Sequence, residues 1–295
     1  MKKFFRRGKG IEFLFLFFAL ASVFFLAGIV VVLFSSGLLI LRTVTLREFI
    51  LGRYWHPLFY EPPAYGILPI ILGSFWVTLG AMCIAIPLGV GAAVYIAEVA
   101  SPQLKEILKP VIELLGAIPS VVYGFFGVVA LAPFIMRLFD LPIGFTALTA
   151  SILLGLMALP TIVTISEDVI SSVPVLYREA SYALGATKLE TAAKVVFPAA
   201  FPGIVTAIIL GMGRAIGETM VVMMVAGGSA IIPRSFLQPV RAMTATIGLE
   251  MGEAASGSPH MHALFGIGCV LFVLTLLFSI AAERFSIRFR RQVGI

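Results

Sequence analysis

The stretch EDVISSVPVLYREASYALGATKLETAAKVVFP, residues 167–198, lies between two apolar runs and decides how the chain is interpreted. Between Tyr177 and Thr191 the pattern predicts a short helix, a break at Gly185 and a second short helix that Thr187 caps ahead of Glu190. Such a segment lies on a membrane surface or docks into a groove of a partner protein. On the hydrophobic pattern alone, a connector at the membrane interface is the simpler interpretation.

The composition of the whole chain excludes a water-soluble enzyme. Of the 295 residues, 60% are hydrophobic and 12% are charged, against about 25% charged residues in soluble domains. So few charges cannot cover a surface that faces water. Cys83 and Cys269 lie in long apolar runs and indicate neither a disulfide framework nor a metal site. We therefore expect a polytopic membrane protein.

Six uncharged runs are long enough to cross a bilayer as helices, which takes about 20 residues. They cover residues 13–41, 62–97, 114–136, 141–166, 195–213 and 254–282. Arg214 and Glu218 interrupt the fifth run, which then continues to Pro233. The predicted fold class is an all-α polytopic membrane protein with six transmembrane helices.

The basic residues predict the orientation of these spans. With the N-terminus in the cytoplasm, inner segments hold 14 of the 21 Lys and Arg residues and outer segments hold 6, which fits the positive-inside rule. Lys2, Lys3, Arg6 and Arg7 also suggest a signal peptide, but the apolar run continues far beyond a normal signal length. We therefore expect a retained first helix and cytoplasmic termini.

Arg214 and Glu218 are the sharpest chemical feature. In a continuous fifth helix over residues 203–225, Arg214 lies near the bilayer midplane and Glu218 lies one turn further out on the same face. An intramembrane charge usually marks a transport pathway, although an ion pair that only neutralises itself is the alternative. The guanidinium fork suits a tetrahedral oxyanion, and Glu218 could hold that fork in position or accept a hydrogen bond from the protonated oxygen of hydrogenphosphate. Gly213 and Gly217 have the spacing of close helix packing.

A second motif gives the segment 167–198 a specific meaning. Glu179-Ala180-Ser181, three residues, Gly185, nine residues, Val195, one residue and Phe197-Pro198 follow each other in a fixed spacing. This pattern resembles the EAA loop of ABC importer permeases, with Ser for Ala, Val for Ile and Phe for Leu as departures. The resemblance implies that Glu179, Ala180, Ser181 and Gly185 couple the permease to an ATPase. The chain has no phosphate-binding loop of its own, so a separate ATPase is implied.

Longer stretches narrow the resemblance. GRAIGETMVVMMVAGGSA (213–230), the segment 159–204, IPSVVYGFFG (118–127) and PLGVGAAVYIAEVASP (87–102) are similar to the PstC-type permeases of phosphate-specific ABC importers. The likeness covers roughly residues 66–282 and implies the type I ABC importer permease fold. It divides the chain into a first segment 1–65, a transmembrane domain 66–282 with the coupling loop 167–198, and a basic tail 283–295.

The resemblance also implies a function and partners. The chain would be a non-enzymatic subunit that moves phosphate into the cytoplasm by alternating access, in the plasma (inner) membrane of a prokaryote. Arg214, Glu218 and the adjacent Thr219 would line the pathway. The implied partners are a PstA-type sister permease, two PstB-type ATPase subunits, which bind ATP and Mg²⁺, and an extracytoplasmic phosphate-binding protein. No nucleic acid, cofactor or metal is expected in this chain.

Three alternatives stay open at this point. The first is a permease for another oxyanion, such as molybdate or sulfate, that shares the coupling loop. The second is an anion channel or carrier that works without ATP. The third, an intramembrane enzyme, is disfavoured because Glu218 has no second intramembrane acid beside it and no nucleophile or zinc motif is present.

Three smaller expectations concern the ends of the spans. Trp55, His56 and Tyr60 are interpreted as part of an aromatic belt at the outer interface. His260 and His262 are interpreted as polar interfacial residues rather than metal ligands. The segment 103–113 predicts a short amphipathic helix on the cytoplasmic side.

Overall fold

A computed structural model describes residues 2–58 and 62–293, with side chains for 11–58, 62–284 and 286–288. The described part of the chain is mostly helical, with a two-residue antiparallel ladder between β1 (Trp55–His56) and β2 (Ala64–Tyr65) and a long irregular segment over residues 226–242. Its α-helices are α1 (Lys2–Gly37), α2 (Leu46–Leu51), α3 (Leu68–Val94), α4 (Pro102–Ala117), α5 (Ser120–Phe126), α6 (Ala132–Leu138), α7 (Ala147–Ser171), α8 (Val175–Ala183), α9 (Lys188–Thr191), α10 (Phe197–Gly217), α11 (Met220–Val225), α12 (Met243–Glu250) and α13 (Pro259–Val293).

The described residues contain six helical segments long and apolar enough to cross a membrane, which confirms the predicted number. They are Ile11–Arg42, Leu68–Val99, Ser120–Leu138, Ala147–Ser171, Lys188–Gly217 and Pro259–Arg288. Single turns of π-helix continue α3 and join α5 to α6 and α9 to α10.

Four spans begin later than the apolar pattern predicts, and one of them, the third, starts at Ser120 rather than at residue 114. The second starts at Leu68 because the residues before it form the β1–β2 pair. The fourth starts at Ala147, where the Thr146 hydroxyl accepts a hydrogen bond from the Thr149 amide and caps the helix. The sixth starts at Pro259 rather than at residue 254. Apolarity alone does not show where a helix begins.

The centre of the bundle is α7, which packs against both α3 and α10. Small residues allow these helices to approach closely: a Cβ added at Gly89 of α3 or at Gly211 of α10 would lie 2.8 or 2.6 Å from the Ile162 side chain of α7. Ile162 is completely buried. The three helices therefore form one tightly packed unit.

The first span is attached differently from the others. Near its C-terminal end, α1 packs on α13 through an edge-to-face pair between Phe34 and Phe272 and through Gly37 against Cys269. Nearer the N-terminus its phenylalanines, including Phe17 and Phe24, are exposed in this chain. The basic side chains within residues 2–9, which entered the prediction of orientation, lie outside the described side chains.

The last helix, α13, runs to Val293 without a break at residue 283, where we expected the tail to begin. Basic side chains from residue 289 onwards lie outside the described ones. The described backbone therefore shows the sixth span and most of the basic segment as one helix.

The continuous fifth helix over residues 203–225 is wrong. The helix α10 ends at Gly217, Glu218 has an extended backbone (φ −70°, ψ 128°), and α11 begins only at Met220. The Glu218 carboxylate accepts hydrogen bonds from the amides of Met220 (3.0 Å) and Val221 (3.4 Å). The Thr244 hydroxyl donates to the Glu218 carbonyl at 2.9 Å. Side chains thus satisfy backbone groups that the break exposes.

Candidate transport pathway and coupling loop

Arg214 lies on α10 within the fifth span, and its side chain is exposed in this chain. The guanidinium is held only loosely: Nη1 lies 3.5 Å from the Thr161 hydroxyl of α7, and Nη2 lies 3.4 Å from the Gly116 carbonyl of α4. Both distances are long for hydrogen bonds of a charged group. Most of the five guanidinium N–H donors therefore stay open to a ligand.

The glycines beside Arg214 leave an open face. A Cβ added at Gly213 or Gly217 would meet no atom of the described chain within 4 Å. The close helix packing predicted from their spacing is therefore not made within this chain. The open face instead keeps the space next to the guanidinium clear.

Glu218 does not hold the Arg214 fork, as we had expected. Among the described residues, no ion pair joins Glu218 to Arg214. The reason is the end of α10 at Gly217, which turns Glu218 toward the amides of α11 instead of placing it one helical turn from Arg214. Thr219, half-buried beside it, has its hydroxyl 3.5 Å from the Gly217 carbonyl.

The coupling loop has the predicted helix–break–helix form. The helix α8 is followed by Gly185 with φ +83°, a backbone conformation that favours glycine. The helix α9 then begins with a capping box, in which Thr187 and Glu190 satisfy each other's backbone amides. Glu179, Ala180 and Gly185 are exposed, as residues that contact a partner must be.

Ser181 is the exception in this loop. It is buried, and its hydroxyl lies 2.8 Å from the hydroxyl of Thr191, which is completely buried. The serine that stands where the loop pattern has alanine therefore joins α8 to α9. It offers little surface to a partner.

Known proteins resemble this chain both in sequence and in fold. Residues 85–291 match a family described as "Binding-protein-dependent transport system inner membrane component". The chain belongs to this family.

Three relatives show how far the likeness extends. The "Probable ABC transporter permease protein YqgH" of Bacillus subtilis is 44% identical over 241 residues, which cover 82% of this permease and 78% of that protein. The "Phosphate transport system permease protein PstC" of Mesorhizobium japonicum is 32% identical and covers 94% of this chain and 89% of its own. A second PstC, from Haemophilus influenzae, is 33% identical over 84% of this chain and 83% of its own.

Solved structures confirm the fold. A permease chain of the inward-facing MetNI methionine ABC transporter superposes with a TM-score of 0.56 and 21% identity, over 76% of this chain and 94% of that one. A chain of a bacterial alginate ABC importer gives a TM-score of 0.56 with 13% identity, over 75% and 79% of the two chains. The permease thus has the type I ABC importer permease fold.

A shallow groove of about 530 Å³ adjoins the exposed part of the coupling loop. Its lining includes Ala180, Leu184 and Gly185 on one side and Glu190 and Lys194 on the other. Leu184 is 90% exposed at its edge. The groove thus places an exposed apolar side chain beside two charged ones.

A group of ion pairs fastens α4 to the C-terminal end of α7. The ammonium groups of Lys105 and Lys109 lie 2.5 and 2.9 Å from the two carboxylate oxygens of Glu167, and Lys109 also contacts Asp168 at 2.9 Å. Hydrogen bonds to Glu167 and Asp168 hold the pKa of Lys109 well above its ordinary value. The sequence predicted α4 as an amphipathic helix but gave no sign of this attachment, which joins residues 58 positions apart.

A second polar group lies near the β1–β2 pair and was also missed. Glu250 accepts hydrogen bonds from the Trp55 indole (3.1 Å) and from Arg241 (2.6 Å), and it contacts His260 Nε2 at 2.9 Å. Trp55 and His260 are buried within the chain and His56 and His262 are half-buried, which does not fit a belt of side chains that faces lipid; Tyr60 lies outside the described residues. The half-buried carboxylate is thus satisfied by three polar side chains, as a group largely removed from water requires.

Proposed function

We propose that this permease is the PstC-type subunit of an ATP-driven importer that moves inorganic phosphate into the cytoplasm. The observation that carries the proposal is Arg214, a guanidinium within a membrane span whose donors are only weakly engaged by this chain. A planar fork of donors matches the oxygens of a tetrahedral oxyanion. The relatives named as phosphate transport permeases support the choice of phosphate.

The proposed assembly contains a PstA-type sister permease, two PstB-type ATPase subunits and an extracytoplasmic phosphate-binding protein. The ATPase subunits bind ATP and Mg²⁺, since this chain lacks a phosphate-binding loop. We place both termini in the cytoplasm, because the inner segments then hold most of the basic residues. The coupling loop then faces the ATPase.

Transport follows alternating access in this proposal. Closure of the ATPase pair moves the coupling loop around Glu179, and the bundle changes from outward to inward access. Phosphate contacts Arg214 during passage. The contact is weak, because a tight site within a conduit would retain its cargo. Glu218 supports the pathway through the helix break rather than through a bond to Arg214.

The test is uptake of labelled phosphate by vesicles that hold the complete complex and are supplied by the binding protein. We expect ATP-dependent uptake by the wild type, loss of uptake in Arg214→Ala with assembly and ATP hydrolysis retained, and loss of coupling in Glu179→Ala. Arg234→Ala, which removes an exposed arginine outside the spans, is the matched control and keeps uptake. Normal uptake by Arg214→Ala would show that the proposed site is wrong.

Two further arms separate the alternatives. Sulfate and molybdate are added as competitors; strong competition by either would replace phosphate by that oxyanion. Vesicles without the ATPase test for a channel or carrier, and uptake there at the rate of the full complex would contradict an ATP-driven mechanism.

A further inference from the structure

The coupling helix α8 has few attachments to the membrane spans. Its backbone packs mainly against α9 and the π-helical turn that leads into α10, and Ser181 is its one buried residue. Val175 and Leu176 are exposed. Residues 172–174 join α8 to α7, and a further contact is needed to carry a motion of α8 to α3.

Arg178 supplies such a contact. Its Nη2 lies 2.7 Å from the Glu98 carboxylate at the inner end of the second span, and its Nε lies 3.3 Å from the same oxygen. Nη1 donates to the Val173 carbonyl at 2.6 Å and Nη2 also donates to the Ile170 carbonyl at 3.0 Å. One guanidinium thus joins α8 to two different spans.

Burial restricts the motion of the two side chains in this ion pair. The side chains of Arg178 and Glu98 are 16% and 6% exposed. Ile170 lies in the last turn of α7 and Val173 lies two residues beyond its end, so the arginine binds two carbonyls at the point where the helix stops. A buried ion pair seldom adds stability over apolar packing, and one known use of such pairs is to fix a specific geometry.

The far end of this connection is the pathway. Ile170 and Thr161 lie on the same helix, about 14 Å apart at 1.5 Å per residue. Thr161 is the α7 residue that contacts Arg214. The packed helix α7 therefore links the Arg178 contacts at its inner end to Arg214.

We propose that Arg178, anchored by Glu98 and by the carbonyls of Ile170 and Val173, is the positioning residue that transmits motion of the coupling loop to the second and fourth spans. This inference rests on the proposed function, in which an ATPase drives α8. Arg178 itself touches neither ATP nor phosphate.

The experiment measures ATP hydrolysed per phosphate imported by the complete complex in vesicles. Arg178→Lys keeps the charge but loses the fork, and Glu98→Gln keeps an acceptor and leaves the arginine in place. We expect both to assemble and hydrolyse ATP, while the ATP consumed per phosphate rises about tenfold, within the range of ordinary coupling energies. Lys105→Ala, which removes an α4–α7 ion pair and leaves Glu167 paired with Lys109, is the control with unchanged stoichiometry.

A purely structural role would lower uptake and hydrolysis together and leave their ratio unchanged. That result, or wild-type stoichiometry in both variants, overturns the inference. Glu98→Gln keeps the test decisive if Arg178→Lys fails to assemble, because it leaves the bonds from Arg178 to α7 intact.

A second readout does not depend on phosphate. The exposed residues Tyr182 on α8 and Tyr95 at the end of the second span are changed to cysteine and spin-labelled. The native Cys83 and Cys269 are changed to alanine so that they take no label. With ATPase subunits bound, we expect one narrow distance in the nucleotide-free and ATP-trapped states, and a broad distribution in Arg178→Lys. A narrow distance in the variant contradicts the anchor. Failure of wild-type phosphate uptake, by contrast, contradicts the proposed function alone.

Discussion

At the residue scale, Glu218 has a different part from the one its spacing suggested. Its carboxylate is engaged by the first amides of α11, two and three positions further along the chain. This is the pattern of a helix N-cap, in which a side-chain oxygen replaces the missing helical acceptor. In the proposed pathway, Arg214 therefore supplies hydrogen-bond donors, whereas Glu218 caps the first turn of α11.

Substitution of Glu218 distinguishes a cap from a cargo ligand. Glu218→Asp keeps a carboxylate suited to capping, whereas Glu218→Ala removes the cap at a cost of about 1 kcal/mol. We expect Asp to retain most of the phosphate uptake and thermal stability, and Ala to lose both. Equal loss of uptake in the two variants, with the stability of Asp unchanged, would mean that the carboxylate itself reaches the cargo.

Ser181 and Thr191 form a second test at this scale. Removal of one hydroxyl leaves the other buried without its partner, at a cost of about 1–3 kcal/mol, whereas removal of both can be nearly neutral. We expect Ser181→Ala and Thr191→Val each to increase hydrogen exchange across residues 175–191, and the double variant to restore protection. Additive increases in the double variant would show that the two hydroxyls are independent.

At the element scale, the coupling loop depends on the turn between α8 and α9. Gly185 has φ +83°, and a Cβ added there would meet open space, so the constraint is the backbone conformation rather than crowding. A residue with a Cβ is destabilised by about 1–2 kcal/mol in this region. The turn sets the angle at which α8 meets a partner.

Gly185→Ala is therefore expected to weaken coupling. We expect reduced phosphate uptake at nearly unchanged basal ATP hydrolysis, measured in the same vesicles. Gly28→Ala is the matched control, since Gly28 lies within the helix α1 and an added Cβ meets nothing there. Equal uptake in Gly185→Ala and Gly28→Ala would show that the turn tolerates a side chain.

The sequence patterns predicted those features that depend on neighbouring residues. The apolar runs gave the six spans, and Thr187 with Glu190 marked the start of α9, because both signals lie within a few residues of what they determine. At the break after Gly217, the Glu218 carbonyl accepts a hydrogen bond from Thr244. The Trp55 indole donates to Glu250, 195 positions away. Such pairings are determined by tertiary packing, which neither hydropathy nor spacing encodes.

At the scale of the whole molecule, two glycines of α10 face opposite environments. Gly211 lies against Ile162 in the centre of the bundle, whereas Gly213 lies on the open face beside Arg214. A family member that works with a second permease would place that subunit on a face of this kind. A substitution at Gly211 therefore tests the folding of this chain, whereas one at Gly213 tests its assembly with a second subunit.

We expect Gly211→Leu to destabilise the chain by about 1–3 kcal/mol through overpacking. Gly213→Leu should leave the thermal stability of the purified chain unchanged but reduce recovery of the sister permease in co-purification. If Gly213→Leu assembles and transports normally, a second subunit does not pack closely at this face.

The attachment of the first span has a consequence for biosynthesis. The thiol of Cys269 donates to the Leu33 carbonyl across 236 positions of sequence. At a synthesis rate of about 5–20 residues per second, roughly 12–47 seconds separate the appearance of these two residues at the ribosome. The first helix must therefore be stable in the bilayer without α13 during this time, with its phenylalanines against lipid. It packs on α13 only after the last helix has been inserted.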